Sequence, residues 1–262
     1  MKKIIIAGYP KSGNTWLTRL TATLADCPVK GFLYSDHQEI AVEGTDRISK
    51  YGVFKSHHQY QELRNEDVST AKIIYVIRDP RDIAISGRNF FSVQPYTFKN
   101  IEWPTKNLFL KIINPFKIVS NKIINKLLLK KEMNKAVLFG NKKIHYWCRI
   151  SWKSHITPYL ENPDILIVKY ESLLTNPFHE AKRIIDYIGI NKTDKEIIDD
   201  VQSQSFKKKK TQFINQEQIG KASFLRSGKK EQWKSVLSKK ENLKFVDILK
   251  NELIELGYEL EN

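Results

Sequence analysis

A chain of 262 residues, 41% apolar and 11% aromatic, has the make-up of a folded protein with one large core, and this excludes a disordered chain. Forty-four Lys and Arg against 29 Asp and Glu leave a formal charge of +15, a field that draws anions of any kind and says nothing about fold. Its two cysteines, Cys27 and Cys148, are too few for a disulfide scaffold or a structural zinc site, and no stretch reaches the roughly 18–20 apolar residues of a membrane span.

The chain opens on MKKIIIAGYPK, where basic residues precede an apolar run too short for a signal peptide. Lys3–Ala7 instead reads as a buried parallel strand ending in a turn. Leu17, Leu20 and Leu24 follow at helical spacing, and Cys27-Pro28 closes that helix. Tyr51–Ser56 and Lys72–Ile77 are further strands, and residues 80–91 form a helix with Pro80 at its start. Residues 93–141 mix Lys, Asn, Pro and bulky apolar side chains without a sheet strand. Apolar residues from Ile144 to Leu160 recur near a 3.6 period, which predicts one long helix over 142–161. Ile165–Lys169 is a fourth strand, and Asn176–Ile188 a helix with Asn176 as cap and Pro177 in its first turn. Residues 207–230, beginning KKKK, read as a loop or flap, and the last 25 or so residues as helix. No internal repeat is visible. Strands separated by helices predict a parallel sheet that binds its ligand at the strands' carboxyl ends.

The loop after the first strand is Gly8-Tyr9-Pro10-Lys11-Ser12-Gly13-Asn14-Thr15-Trp16. Gly8 and Gly13 have the spacing of a P-loop and Thr15 takes its Ser/Thr position, but Asn14 stands where the P-loop has lysine. Lysine comes earlier, at Lys11. Main-chain N–H groups at a helix amino terminus still favour an anion, and Lys11 adds a full positive charge beside it. The third strand ends at Ile77 and is followed by Arg78, so no carboxylate stands there to hold Mg²⁺.

In KIIYVIRDPRDIAISGRNF, Arg78 sits at the strand's end and Ser86 eight residues later on the next helix. Together with AGYPKSGNTW, this resembles the two nucleotide-binding segments of the cytosolic sulfotransferase family. That family moves the sulfuryl group of 3'-phosphoadenosine 5'-phosphosulfate to a hydroxyl or amine. Phe224-Leu225-Arg226-Ser227-Gly228 with Gln232-Trp233-Lys234 is similar to its C-terminal segment, and Val168-Lys169-Tyr170-Glu171 with Asn176-Pro177 to its fourth strand and following turn. The resemblance runs from about residue 3 to 245. It implies a single α/β domain over 1–262, with a central parallel sheet flanked by helices in the P-loop NTPase-like sulfotransferase fold. A helical, basic insertion around 93–141 and a donor-covering flap around 207–230 would be added to it.

Carried over position by position, the resemblance assigns the 5'-phosphosulfate to Lys11, Ser12, Gly13, Asn14 and Thr15, with Lys11 near the bridging oxygen. The 3'-phosphate falls to Arg78, Ser86, Arg226 and Gly228. Trp16 and Phe206 would flank the adenine and Tyr170 would hydrogen-bond it. Three positions depart from the family: Asn14 replaces a threonine often found there, Ser227 replaces a flap lysine, whose charge Lys229 or Lys230 could supply, and Gln204 replaces a threonine near the adenine. In Val53-Phe54-Lys55-Ser56-His57 the family's Lys-x-His segment is matched, so His57 becomes the base and Lys55 a stabiliser of the transferring group. His58 is the competing histidine. The scheme needs no metal.

The resemblance implies an acceptor that is a small molecule, a lipid or a glycan. Asn107–Ile113 and Ile123–Lys131 would form an acceptor lid, a basic element resting on anionic membrane, or an insertion packed on the body. The protein is expected to be cytoplasmic, with peripheral membrane contact open and no role for nucleic acid. A poorly matched dimer segment leaves the oligomeric state open. A P-loop kinase and a basic nucleic-acid-binding module are the rival readings.

Overall fold

Strand β1 (Lys2–Ala7) carries three consecutive isoleucines that are fully buried, which requires cover on both faces of the sheet. The computed structural model describes residues 1–35, 42–91, 128–215 and 228–261, with backbone alone at 206, 207, 210 and 213. Around β1 it builds a five-stranded sheet in the order β2-β3-β1-β4-β5, from β2 (Val29–Phe32), β3 (Tyr51–Ser56), β4 (Lys72–Ile77) and β5 (Leu166–Lys169). All pairings between these strands are parallel.

The alternation of side chains along the strands sorts the core into two layers. Ile4, Ile6, Ile74, Val76 and Val168 face two helices, Asn14–Leu24 (α1) and Pro177–Ile188 (α5), where Leu17, Leu20, Ile184 and Ile188 meet them. Ile5, Ala7, Tyr75 and Ile77 face the other way, onto Pro80–Arg88 (α2), Trp152–Leu160 (α4) and a long C-terminal helix, Lys239–Glu255 (α7). Each fully buried large side chain contributes about 1.5–3 kcal/mol from apolar transfer.

Chain order matters more than layer count for the site. From β1 the chain runs outward to β2, returns as β3 beside β1, then crosses to β4 on the other side. The carboxyl ends of β1, β3 and β4 therefore adjoin at a switch point, the place where open α/β sheets bind ligands. Ala7 is paired with Ser56 on one side and Tyr75 on the other.

Several expectations change. Val29–Phe32 is a strand that the sequence pattern does not show, because Lys30 and Gly31 interrupt its apolar character on the sheet edge and a bulge lies between Val29 and Gly31. Residues 142–161 are not one helix. A helix (α3) covers 128–139, the chain then turns through Gly140 at φ 81°, and Ser151 starts α4 by accepting the Ser154 N–H on its hydroxyl. His145 caps a short turn over Tyr146–Cys148 in the same way, so polar side chains claim the backbone despite the apolar period. Asn176 stands at the start of α5 but its side chain makes no capping bond. The expected flap begins as a helix, Phe206–Asn215 (α6), and its residues 216–227 lie outside the described residues, as do 93–127 of the insertion. Among the described residues no helix is long and apolar enough to cross a membrane.

A buried arginine ties the C-terminal segment to the sheet. Arg81 is fully buried; its Nε and Nη2 donate to the Asp79 carboxylate at 3.0 and 2.8 Å, and Nη1 donates to Asn242 Oδ1 at 3.0 Å. Nη2 also reaches the Glu259 carbonyl at 2.6 Å, and the guanidinium lies 3.5 Å from the Trp233 ring centre. Arg81→Ala leaves Asp79 buried without its partner. It should lower the urea-unfolding free energy by about 3–5 kcal/mol, with little change in the denaturant slope.

Candidate active site

Four candidate residues or segments follow directly on strand ends: the Gly8–Asn14 loop after β1, His57 after β3, Arg78 after β4 and Tyr170 after β5. The sheet thus brings together residues more than 150 positions apart.

The loop is held by unusual backbone. Lys11 has φ 72° and Gly13 φ 103°, both in the left-handed region. Glycine is required at 13 for a second reason, since a Cβ there would meet the Tyr170 ring at 2.6 Å. Such conformations persist where surrounding structure enforces them, commonly at ligand sites. Ser12 is fully buried and its hydroxyl has no partner among the described residues, nor does Arg78 Nε. Those two orphaned donors, beside a helix amino terminus, are what an oxyanion would satisfy.

Asn14 shows what replaced the P-loop lysine. Its amide donates to the Gly8 carbonyl at 3.1 Å and the Ser56 carbonyl at 3.3 Å, joining the ends of β1 and β3. The side-chain donors are committed to the fold, so Asn14 offers an anion its main-chain N–H. Thr15 is buried beside it. The Lys11 ammonium lies 3.6 Å from the centre of the Phe90 ring.

Arg78 donates to the carbonyls of Lys11 and Lys229, each at 3.1 Å, and stacks 4.2 Å from the Tyr170 ring centre. Asp82, fully buried, sits 3.6 Å from Arg78 and accepts the Trp233 N–H at 3.0 Å. Burial pushes its carboxyl upward, and Arg78 opposes that shift. Gly228, with φ 56°, begins this returning segment, and Ser86 is half-buried on α2. Arg226, Ser227 and the Phe206 side chain lie outside the described residues.

On the other flank Trp16 packs edge-on against Tyr170 at 5.9 Å and donates from its indole to the Gln204 carbonyl at 2.9 Å. The Gln204 amide turns away to Thr23. Glu43 binds Lys209 of α6 at 2.7 Å and Arg19 of α1 at 3.3 Å, an anchoring carboxylate that sequence reasoning missed because it has no motif.

His57 is held by its ring. Nδ1 lies 2.7 Å from the Gly8 carbonyl, which can only accept, so Nδ1 carries the proton and Nε2 the lone pair. Burial, reinforced by the Lys55 charge, pushes its pKa well below the ordinary histidine value, against the pull of the Gly8 bond. Lys55 is buried with its ammonium 5.0 Å from the Phe32 ring centre. His58 instead bonds the Ser56 hydroxyl at 3.0 Å and meets Trp147 edge-on at 4.7 Å. Phe32 lies 5.4 Å from the His57 ring and stacks on Trp147 at 5.7 Å, forming an aromatic wall beside His57. Neither ring is marked by a motif.

Residues 1–257 match the family described as Sulfotransferase domain. The chain belongs to the sulfotransferase family. It is 22% identical to human Sulfotransferase 2A1 over 277 residues, covering 98% of this chain and 86% of that protein. The fold is shared with mouse sulfotransferase SULT7A1 in complex with PAP at 20% identity, with a TM-score of 0.65 over 96% of this chain and 84% of that one. It is also shared with retinol dehydratase in complex with androsterone and inactive cofactor PAP, at 17% identity and a TM-score of 0.62, over 97% and 81% of the two chains. For this sulfotransferase, the strained loop gives a direct test. Gly13→Ala should cost about 1–3 kcal/mol of stability in urea denaturation, because both φ and the Tyr170 contact oppose a side chain.

Proposed function

We propose that this sulfotransferase transfers the sulfuryl group of 3'-phosphoadenosine 5'-phosphosulfate to the hydroxyl of a small apolar acceptor, with His57 as general base. The observation that carries the proposal is the His57 ring. A neutral imidazole locked with Nδ1–H on the Gly8 carbonyl presents Nε2 as the basic nitrogen, beside the phosphate loop and an aromatic wall.

When bound, the donor supplies an activated sulfuryl group whose leaving portion is a phosphate. Its fit to this chain rests on the buried, unpartnered Ser12 hydroxyl and Arg78 Nε, which an anion would satisfy. Main-chain N–H groups of the Gly13–Thr15 turn and the Lys11 ammonium would hold the phosphosulfate end. Lys11 reaches it by leaving the face of Phe90. Arg78 and Ser86, with Arg226, Ser227 and Gly228 from the flap, would hold the 3'-phosphate, where a guanidinium's paired donors suit phosphate oxygens. Trp16, Tyr170, Gln204 and Phe206 would surround the base of the nucleotide. His57 takes the acceptor's proton at Nε2, and Lys55 keeps positive charge beside the transferring group. Phe32 and Trp147 favour a flat, apolar acceptor. An acceptor lid from residues 93–141 and a donor-covering flap from 207–230 would extend the same proposal.

Adenosine 3',5'-bisphosphate should raise the melting temperature, whereas ATP with Mg²⁺ or a single-stranded oligonucleotide should leave it unchanged. Stabilisation by ATP with Mg²⁺ alone would favour a kinase. His57→Ala should lower turnover about 100-fold or more while bisphosphate affinity, read by calorimetry, stays within about twofold. In the unaltered enzyme the acid limb of kcat/KM should lie below 6.5, because the folded protein disfavours the charged imidazole and keeps the base neutral.

A further inference from the structure

His155 of α4 is an imidazole in the middle of the apolar core, 1% exposed, between the rings of Tyr9, Tyr75 and Tyr159. A buried polar ring costs stability unless its nitrogens are satisfied. Both are. Nε2 lies 3.2 Å from the main-chain carbonyl of His57, and Nδ1 2.9 Å from the Tyr75 hydroxyl. A carbonyl only accepts, so Nε2 carries the proton and Nδ1 receives the Tyr75 O–H. Burial keeps the imidazole neutral by pushing its pKa down to about 4, the His57 carbonyl opposing.

The two ends of His57 are thus held separately. Gly8 fixes the ring directly, and His155, itself held by the Tyr75 hydroxyl, fixes the main-chain carbonyl. We infer that His155 is a positioning residue. Its Nε2–H holds the His57 carbonyl so that the ring stays on Gly8 in the tautomer whose Nε2 is basic. The inference rests on the reading of His57 as base. His155 touches neither donor nor acceptor in this role; it acts through His57.

The experiment uses the full chain, saturated with adenosine 3',5'-bisphosphate and labelled with ¹⁵N in its imidazoles. In the unaltered protein the His57 ring should give the spectrum of a single Nδ1–H tautomer. His155→Phe fills the same space without a donor, and should let His57 populate both tautomers. With 2-naphthol as probe acceptor, its kcat should fall about 10-fold or more at unchanged donor KM. His155→Gln keeps an N–H for His57 and an acceptor for Tyr75, and should restore the single tautomer and return kcat to within about threefold. Tyr75→Phe, which removes only a hydroxyl, should leave His155 Nδ1 without its donor, loosen that ring and with it the tautomer of His57, and serves where His155→Phe no longer binds the bisphosphate. A single Nδ1–H tautomer of His57 persisting in both the His155→Phe and Tyr75→Phe proteins would overturn the inference. So would a His155→Gln protein that performs no better than His155→Phe. His57→Ala with full turnover overturns the base instead, and the spectra separate the two failures because they do not depend on which acceptor is used.

Discussion

The carbonyl of Gly8 is the point on which the rest of the site hangs. It accepts from the His57 ring at 2.7 Å and from the Asn14 amide at 3.1 Å, at the end of a strand buried on both faces. One acceptor with two lone pairs thereby joins the candidate base to the turn that starts α1, the candidate phosphate-binding helix. The constraint extends to side-chain choice. A Cβ at position 8 would meet Asn14 Nδ2 at 2.7 Å and Val76 at 2.8 Å, so glycine there is a matter of close approach. Asn14 suits this role and lysine does not, because the acceptors within reach are main-chain carbonyls in a dry interior.

Electrostatics divide the site in two. Lys11 and Arg78 gather positive charge along the loop, which suits a polyanionic donor. Beside it the imidazoles are kept neutral by burial: His57 and His58 both lie below the ordinary histidine value, and His155 is at about 4. Neutral histidine next to fixed cations is the arrangement a proton acceptor requires, since a charged imidazole there would face repulsion and desolvation together. The surplus of basic residues over the whole surface adds long-range attraction for anions without defining where they bind.

A second, purely structural clamp keeps the returning C-terminal segment in place. Asp82 accepts the Trp233 N–H beneath Arg78, while Arg81 spans Asp79, Asn242 and Glu259 beneath Trp233. Two charges buried in succession after β4 thus serve different ends. Arg78 faces the loop and Arg81 faces the core. The energetic cost of burying both is offset only because each has carboxylate and carbonyl partners, so the segment bearing Lys229 cannot drift without exposing them to an uncompensated interior.

What the sequence by itself determined was local: the β1 isoleucines, the glycine spacing, Lys11 ahead of the helix, Arg78 at a strand end and Lys55 two residues before His57. Each is written into a few adjacent residues, and four such segments in order identified the family and the parallel α/β fold. The edge strand at Val29–Phe32 and the break before Trp152 escaped because pairing and side-chain caps, and no apolar period, decide them. Only the tertiary structure showed that Asn14 serves β1 and β3, that Phe32 and Trp147 wall the His57 ring, and that His155 holds its main chain. Those relations join positions far apart, and a histidine at helical spacing looks the same in sequence whether it packs or positions. The loop's residues state their chemistry; the sheet's strand order decides what that chemistry meets.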